Sequence, residues 1–367
     1  MTMRWLPIAM VLLVSPSANA ETLRVAVANE ADRVTVSSTQ GLEWLGPSSA
    51  ARRLSVPLVI VPAPSGLSIV GEKIHATEIR IRPLGEGFLV VEHKRLRGEL
   101  RLLNRNGKIR VINLVDLEEY LRGVVPSEVP HEWPEEALMA QAIAARTYAL
   151  RQREQNTAQE YDLSATVRDQ VYSGVEAETP RTDAAVRDTE GRVITYNGEL
   201  IQAAYHSTSA GFTEDAKEVW GEEIPYLRGV SCPFDEDSPY YEWERGVGPD
   251  RLEEALRAAG YRIGTLATLT PFDWTDSGRV GRLRVLHSEG ELLIRGDDLR
   301  RVLGYRELPS TRFDVGGMGR ELRIRGNGYG HGVGLCQWGS KKLAERGYTA
   351  DQILRYYYPG VKVTSIR

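Results

Sequence analysis

The stretch VVPSEVPHEWP (Val124–Pro134) runs directly into EEALMAQAIAARTYALRQRE (Glu135–Glu154), and the two together constrain the fold more than any other part of the chain. Pro134 suits the first turn of a helix, where its missing N–H would be unpaired anyway. Glu135 and Glu136 complement the positive helix end. The alanines that follow allow close approach of neighbouring backbone, which predicts a central buried helix to about Glu154. Upstream, a residue before proline is pushed out of the helical region. Val129 is therefore expected to be extended. Glu128, between Pro126 and Pro130, is expected on a stiff loop outside the helix.

The rest of the chain reads as α+β, with antiparallel hairpins and segregated helices around that alanine-rich helix. At 367 residues there is room for two or three lobes. From Glu21 to about Glu92, runs such as TLRVAVA, RVTVSS, PLVIVPA and EIRIRPL alternate like strands, which predicts a small all-β lobe over 21–92. A larger domain is expected over 93–367. Within it, Asn106-Gly107 and Asn197-Gly198 mark hairpin turns. DLEEYLRGVV (Asp116–Val125) reads as a short helix, and the strand leaving Asn197-Gly198 is expected to deliver His206 and Ser207. Thr349 and Gln352 form a capping-box pattern ahead of a last helix that Pro359 stops.

Residues 1–20, MTMRWLPIAMVLLVSPSANA, carry one positive charge, a short apolar core and an Ala-Asn-Ala end. This is a secretory-signal pattern with Glu21 as first mature residue; a retained N-terminal anchor is the alternative. Export to a periplasm or cell-wall space is expected, with no membrane span after signal removal. The net charge of −4 argues against a nucleic-acid partner. The one basic run, Glu92–Arg110, reads better as a solvated strand face than as a polyanion site. Cys232 and Cys336 are far apart in sequence, so spacing leaves their pairing open. No close Cys/His cluster supplies the four ligands of a zinc site.

Three segments have chemical potential. Val125 and Val129 would desolvate Glu128 and raise its pKa, as a general acid requires, while the nearby helix end would lower it. On these residues alone a surface loop acid or a cap at the helix start is the stronger reading of Glu128. RGNGYGHGVGLCQWG (Arg325–Gly339) lacks both the dinucleotide glycine spacing and the Gly-Lys-Ser/Thr of a phosphate loop. It reads as a tight backbone path that another segment or a sugar approaches, with His331 either a ligand contact or a structural histidine. His206-Ser207-Thr208-Ser209 has no G-x-S-x-G elbow, which argues against a serine hydrolase.

Taken in order, LEEYLRGVVPSEVPHEWPEEALMAQAIAARTYAL, AYHSTSAGFTEDAKEVWGEEIPYLRGV, the region from SGRVGRLRV to LPSTRFDV, and GNGYGHGVGLCQWGSKKLAERGY resemble the stage II sporulation protein D and amidase-enhancer (SpoIID/LytB) family over roughly Leu96–Gly360. The resemblance implies a peptidoglycan lytic transglycosylase that cuts MurNAc–GlcNAc strands, peptide-stripped ones for preference, without a cofactor. It puts the catalytic glutamate on Glu128, reversing the reading above, and a required arginine on Arg146. Gln141, Tyr172, His206, Ser207, His331 and Gln337 would line the glycan groove. The alternative function is a wall-binding protein that enhances a cell-wall amidase without cutting. Arg146 would stabilise Glu128 or bind glycan, provided the 128–134 loop folds back along the helix, since Arg146 lies about 18 Å along the helix from Pro134. Some family members carry zinc just before the Gln-Val-Tyr motif. Here Ser164, Arg168 and Asp169 stand in those places, so no zinc is expected there, and an ion pair such as Arg168–Asp188 is one way to steady that loop instead.

Overall fold

The computed structural model describes residues 21–46 and 51–366, so the expected secretory signal lies outside the described residues. The fold is α+β, with mainly antiparallel sheets. The Asn106-Gly107 turn forms as expected: both residues have positive φ (55° and 78°) and Arg105 faces Lys108. Its strands, Glu99–Arg105 and Lys108–Asp116, join the N-terminal strands rather than standing apart from them. Lys108–Asp116 pairs with Thr22–Ala31, and Glu99–Arg105 with Glu78–Pro83, in a seven-stranded sheet. A six-stranded sheet shares its core through Val34, Val36, Ile60 and Leu67. The division drawn between residues 92 and 93 therefore falls between strands that share a sheet and a core.

Helix α1 spans Leu117–Glu128 and is capped by Asp116, whose carboxylate accepts from the N–H groups of Glu118 and Glu119. It runs past the expected end at Val125, through Pro126, and takes in Glu128. This corrects the loop placement of Glu128. Pro126 sits in the last turn, where the missing N–H forfeits only the bond to Arg122. The pre-proline constraint acts one residue later, on Val129, which is extended (φ −137°, ψ 146°) and ends the helix.

Helix α2 (Glu135–Gln155) is the expected central helix, buried on nearly every side from Ala137 to Leu150. Ala142, Ala145 and Ala149 meet the sheet core, while Ala140, Ile143 and Ala144 meet a second core built by the C-terminal helices. The small side chains are what let one helix serve two cores. Against it pack α3 (Pro180–Asp188), α7 (Gln337–Glu345) and α8 (Ala350–Tyr357), the last with the Thr349/Gln352 capping box in place; the described residues also form α4 (Ala216–Trp220), α5 (Pro249–Ala258) and α6 (Gly296–Leu303). Helices α5 and α6 pack with strands between Glu242 and Asn327 around a third core.

The Asn197-Gly198 turn also forms, but its outgoing strand stops at Leu200. Tyr205–His206 instead pairs in parallel with Leu335–Cys336. This corrects the expected hairpin delivery of His206. The pairing places His206 and Ser207 beside the start of α7.

Candidate active site

A cleft of about 610 Å³ opens between the C-terminal end of α1, the 167–171 loop, the Tyr205–Ser207 strand, α4, α6 and the Gly-rich segment. Glu128 lies on it. Oε1 of Glu128 accepts a 2.8 Å hydrogen bond from the Val171 N–H. Burial raises the Glu128 pKa, and the Val171 N–H, Gln337 and Tyr205 pull it back without cancelling the rise. Desolvation outweighs these hydrogen bonds. Tyr205 is itself fixed: its hydroxyl accepts from Nε2 of Gln170, whose Oε1 accepts from the Tyr120 hydroxyl.

His206, Ser207, His331 and Gln337 lie on the same cleft. Nδ1 of His331 accepts from the Val333 N–H, so Nε2 carries the proton and donates to the Tyr205 carbonyl at 3.0 Å. His206 is the opposite tautomer: Nδ1 donates to the Val333 carbonyl at 3.1 Å, leaving Nε2 a buried acceptor without a partner among the described residues. Burial, reinforced by Arg300, holds His331 down at about 4, and burial holds His206 well below its usual value. Both rings are neutral hydrogen-bonding groups. The glycines allow this crowding. Gly330 has φ 111°, and a Cβ there would sit 2.7 Å from Cβ of His206; a Cβ at Gly332 (φ 87°) would sit as close to the Arg279 guanidinium carbon.

Three of the expected site residues are not on the cleft. Arg146 is fully buried and forms a two-pronged pair with Glu118, both bonds at 2.7 Å, with further donation to the Val186 and Arg192 carbonyls. Glu118 is in the first turn of α1 and Glu128 in the last, about 15 Å along the axis. Arg146 therefore anchors the far end of the helix that carries Glu128, and does not reach its carboxylate. Tyr172 is buried under α1 against Gly123, with its hydroxyl on Asn113. Gln141 sits behind Gln337, accepting from it at 3.4 Å. These positions follow from tertiary packing: α1 covers Tyr172, and the Glu118 carboxylate is the first partner Arg146 meets.

The 162–172 loop is steadied without an Arg168–Asp188 pair, because Asp188 pairs with Arg187. Asp169 closes the loop instead, accepting from the Ser164 N–H, the Ser164 hydroxyl and the Tyr148 hydroxyl. Cys232 and Cys336 are free, buried thiols that lie with Asp235 within 4.8 Å of one another.

Trp220, Tyr240, Tyr305, Tyr329 and Arg300 also line the cleft and were not singled out from the sequence. Tyr240 packs at a tilt against Tyr329 (centroids 4.6 Å apart, 44° between planes) and Trp220 likewise against His331 (5.6 Å, 48°). Aromatic faces of this kind suit the apolar faces of sugars. Their only advance signal was the aromatic residues near the HST and Gly-rich motifs.

The segment that carries α1, α2 and Glu128 is similar in sequence to known proteins. A family model described as stage II sporulation protein (SpoIID) matches residues 105–196, which include α1, α2 and Glu128. A model described as a domain of unknown function matches residues 227–334. The chain is 33% identical over 265 residues to stage II sporulation protein D of Bacillus subtilis (strain 168), covering 68% of this chain and 75% of that protein. It is 34% identical over 268 residues to the protein of that name from Bacillus amyloliquefaciens, covering 68% and 74%. It is 30% identical over 294 residues to the amidase enhancer of Bacillus subtilis (strain 168), covering 67% of this chain and 40% of that protein. The chain belongs to the SpoIID family.

Proposed function

We propose that this protein is a lytic transglycosylase that cuts the MurNAc–GlcNAc strands of peptidoglycan, peptide-stripped ones for preference, and leaves 1,6-anhydromuramyl ends. The observation that carries this reading is Glu128: a largely buried carboxyl, held by one backbone N–H, with its pKa raised, on an aromatic-lined cleft. A raised pKa keeps the acid protonated to higher pH than an ordinary glutamate, the direction a general acid needs.

In this mechanism Glu128 gives its proton to the glycosidic oxygen as the C1–O bond breaks. The resulting carboxylate takes the proton from the C6 hydroxyl of the same muramic unit. That oxygen attacks C1 and closes the anhydro ring, which restores the glutamic acid. No water enters, so no second carboxylate is needed to activate one; ordinary glycosidases use two. Of the other carboxylates on the cleft, Asp169 already accepts from three donors, and Asp297 belongs to the first turn of α6 on the wall that carries Arg300. Neutral His206 and Gln337 would hold sugar hydroxyl or acetamido groups. Residues 1–20, read as a secretory signal, would deliver the protein to the wall compartment. No helix among the described residues is long and apolar enough to cross a membrane.

The test is mass spectrometry of denuded glycan after incubation with the protein. Anhydro ends that vanish in Glu128→Gln are expected. Ordinary reducing ends would mean hydrolysis. A second reading, favoured by the relative named amidase enhancer, is a wall-binding protein that stimulates an amidase. It would predict no new glycan ends and stimulation that survives Glu128→Gln.

A further inference from the structure

We propose that Arg300 reads the free lactyl carboxylate of peptide-stripped muramic acid and so sets the preference of this cleft for denuded glycan; the inference rests on the glycan-cutting reading above. Arg300 is 6% exposed and lies on the cleft wall. Its Nε donates to the Leu308 and Pro309 carbonyls at 3.1 and 3.2 Å, and its guanidinium lies 4.5 Å over the Tyr305 ring. These contacts fix the plane of the group. They leave its two terminal nitrogens without a hydrogen-bond partner among the described residues. Arg146, the other arginine discussed above, shows the contrast: a carboxylate, two carbonyls and a hydroxyl share its donors.

The groups around Arg300 do not neutralise it. Asp297, one turn back on α6, attracts it and also lines the cleft, but forms no ion pair with it within 4.0 Å. Tyr305, Tyr329 and the neutral His331 also surround it, and the buried Arg279 guanidinium repels it rather than neutralising it. A fixed guanidinium with two open N–H donors on one edge matches a carboxylate in geometry as well as charge. In this glycan only muramic acid offers one. N-acetylglucosamine has no acid, and a muramic unit that carries peptide has its lactyl carboxyl converted to an amide. Arg168 also reaches the cleft but is exposed, so water and salt screen it far more.

The experiment compares two substrates that differ in this group alone: denuded glycan, and the same glycan with its lactyl carboxyls converted to methylamides. The wild-type protein is expected to show kcat/KM lower by about tenfold or more on the amidated strand, the scale of a lost charged hydrogen bond. Arg300→Gln should cut both strands at the lower rate, and Arg300→Lys, which keeps the charge without the fork, should retain only part of the preference. Arg168→Ala should leave the preference intact. Equal cutting of both strands by the wild type overturns the inference while leaving the transglycosylase reading standing. So does a preference that survives unchanged in Arg300→Gln or Arg300→Lys. If the wild type produces no anhydro ends from either strand, both the reading and the inference fall.

Discussion

Val171 and Glu128 are joined across 43 positions of sequence by one hydrogen bond, from the Val171 N–H to Oε1 of Glu128 at 2.8 Å. The donor belongs to the loop that Asp169 closes; the acceptor ends α1. The bond orients the carboxyl toward the cleft and tempers the rise in its pKa without reversing it.

Glu128→Gln keeps the shape and the Val171 bond but has no proton to give. The formation of anhydro ends should fall by about a hundred- to ten-thousand-fold, the usual contribution of a general acid–base group. Glycan binding, measured by co-sedimentation, should change little.

The same substitution should stabilise the fold, and only above a certain pH. The folded-state pKa of Glu128 lies above its unfolded value. Below the unfolded value the carboxyl is neutral in both states and costs nothing. As pH rises, the unfolded chain ionises first, so stability falls until the folded pKa is passed. Glu128→Gln is therefore expected to raise Tm at pH 7, with the gain shrinking to nothing near pH 4. A Tm difference independent of pH would contradict a raised pKa.

The histidines should act in the opposite direction. His331 and His206 are held neutral in the fold, His331 down to about 4. The unfolded chain takes up their protons first as pH falls below about 6.5, so the native state loses stability through that window. His331→Gln should flatten the decline seen in thermal melts between pH 6.5 and 4. The activity of the wild type should show no limb near pH 6.5 from either ring.

Arg146→Ala is expected to act through stability. Removing one partner of a buried pair leaves Glu118 uncompensated and typically costs about 3–5 kcal/mol. Denaturant melts of Arg146→Ala, Glu118→Ala and the double variant should show strong coupling. In any Arg146 variant that folds, the basic limb of the pH–rate profile should stay where Glu128 puts it. A shifted limb would mean that Arg146 reaches the acid after all.

Gly330→Ala should damage the cleft. A left-handed backbone costs a side chain of order 1–3 kcal/mol, and the added methyl would meet His206 at 2.7 Å. Lower Tm together with weaker glycan binding is expected, whereas Gly107→Ala has open space around it and should cost only its φ.

Much of this was legible from residues alone, for reasons that are local. The Asn-Gly turns, the capping box at Thr349 and the buried alanine helix are set by φ preferences, side-chain reach and volume. Glu128 stood out because prolines flank it, although its place inside α1 did not, since a proline in a last turn is tolerated. The errors lie where long-range packing decides. Nothing in AARTYAL shows that Glu118 will claim Arg146, and nothing in Gln-Val-Tyr shows that α1 will cover the ring. Arg300 and the cleft aromatics were missed because each sits in an ordinary segment and gains meaning only from its neighbours in space.

The parallel pairing of Tyr205–His206 with Leu335–Cys336 has a consequence for timing. Glu128 and the Tyr205–His206 strand are synthesised long before Leu335–Cys336 and Gln337, so the strand pairing that completes this side of the cleft can form only after residue 337 has been added.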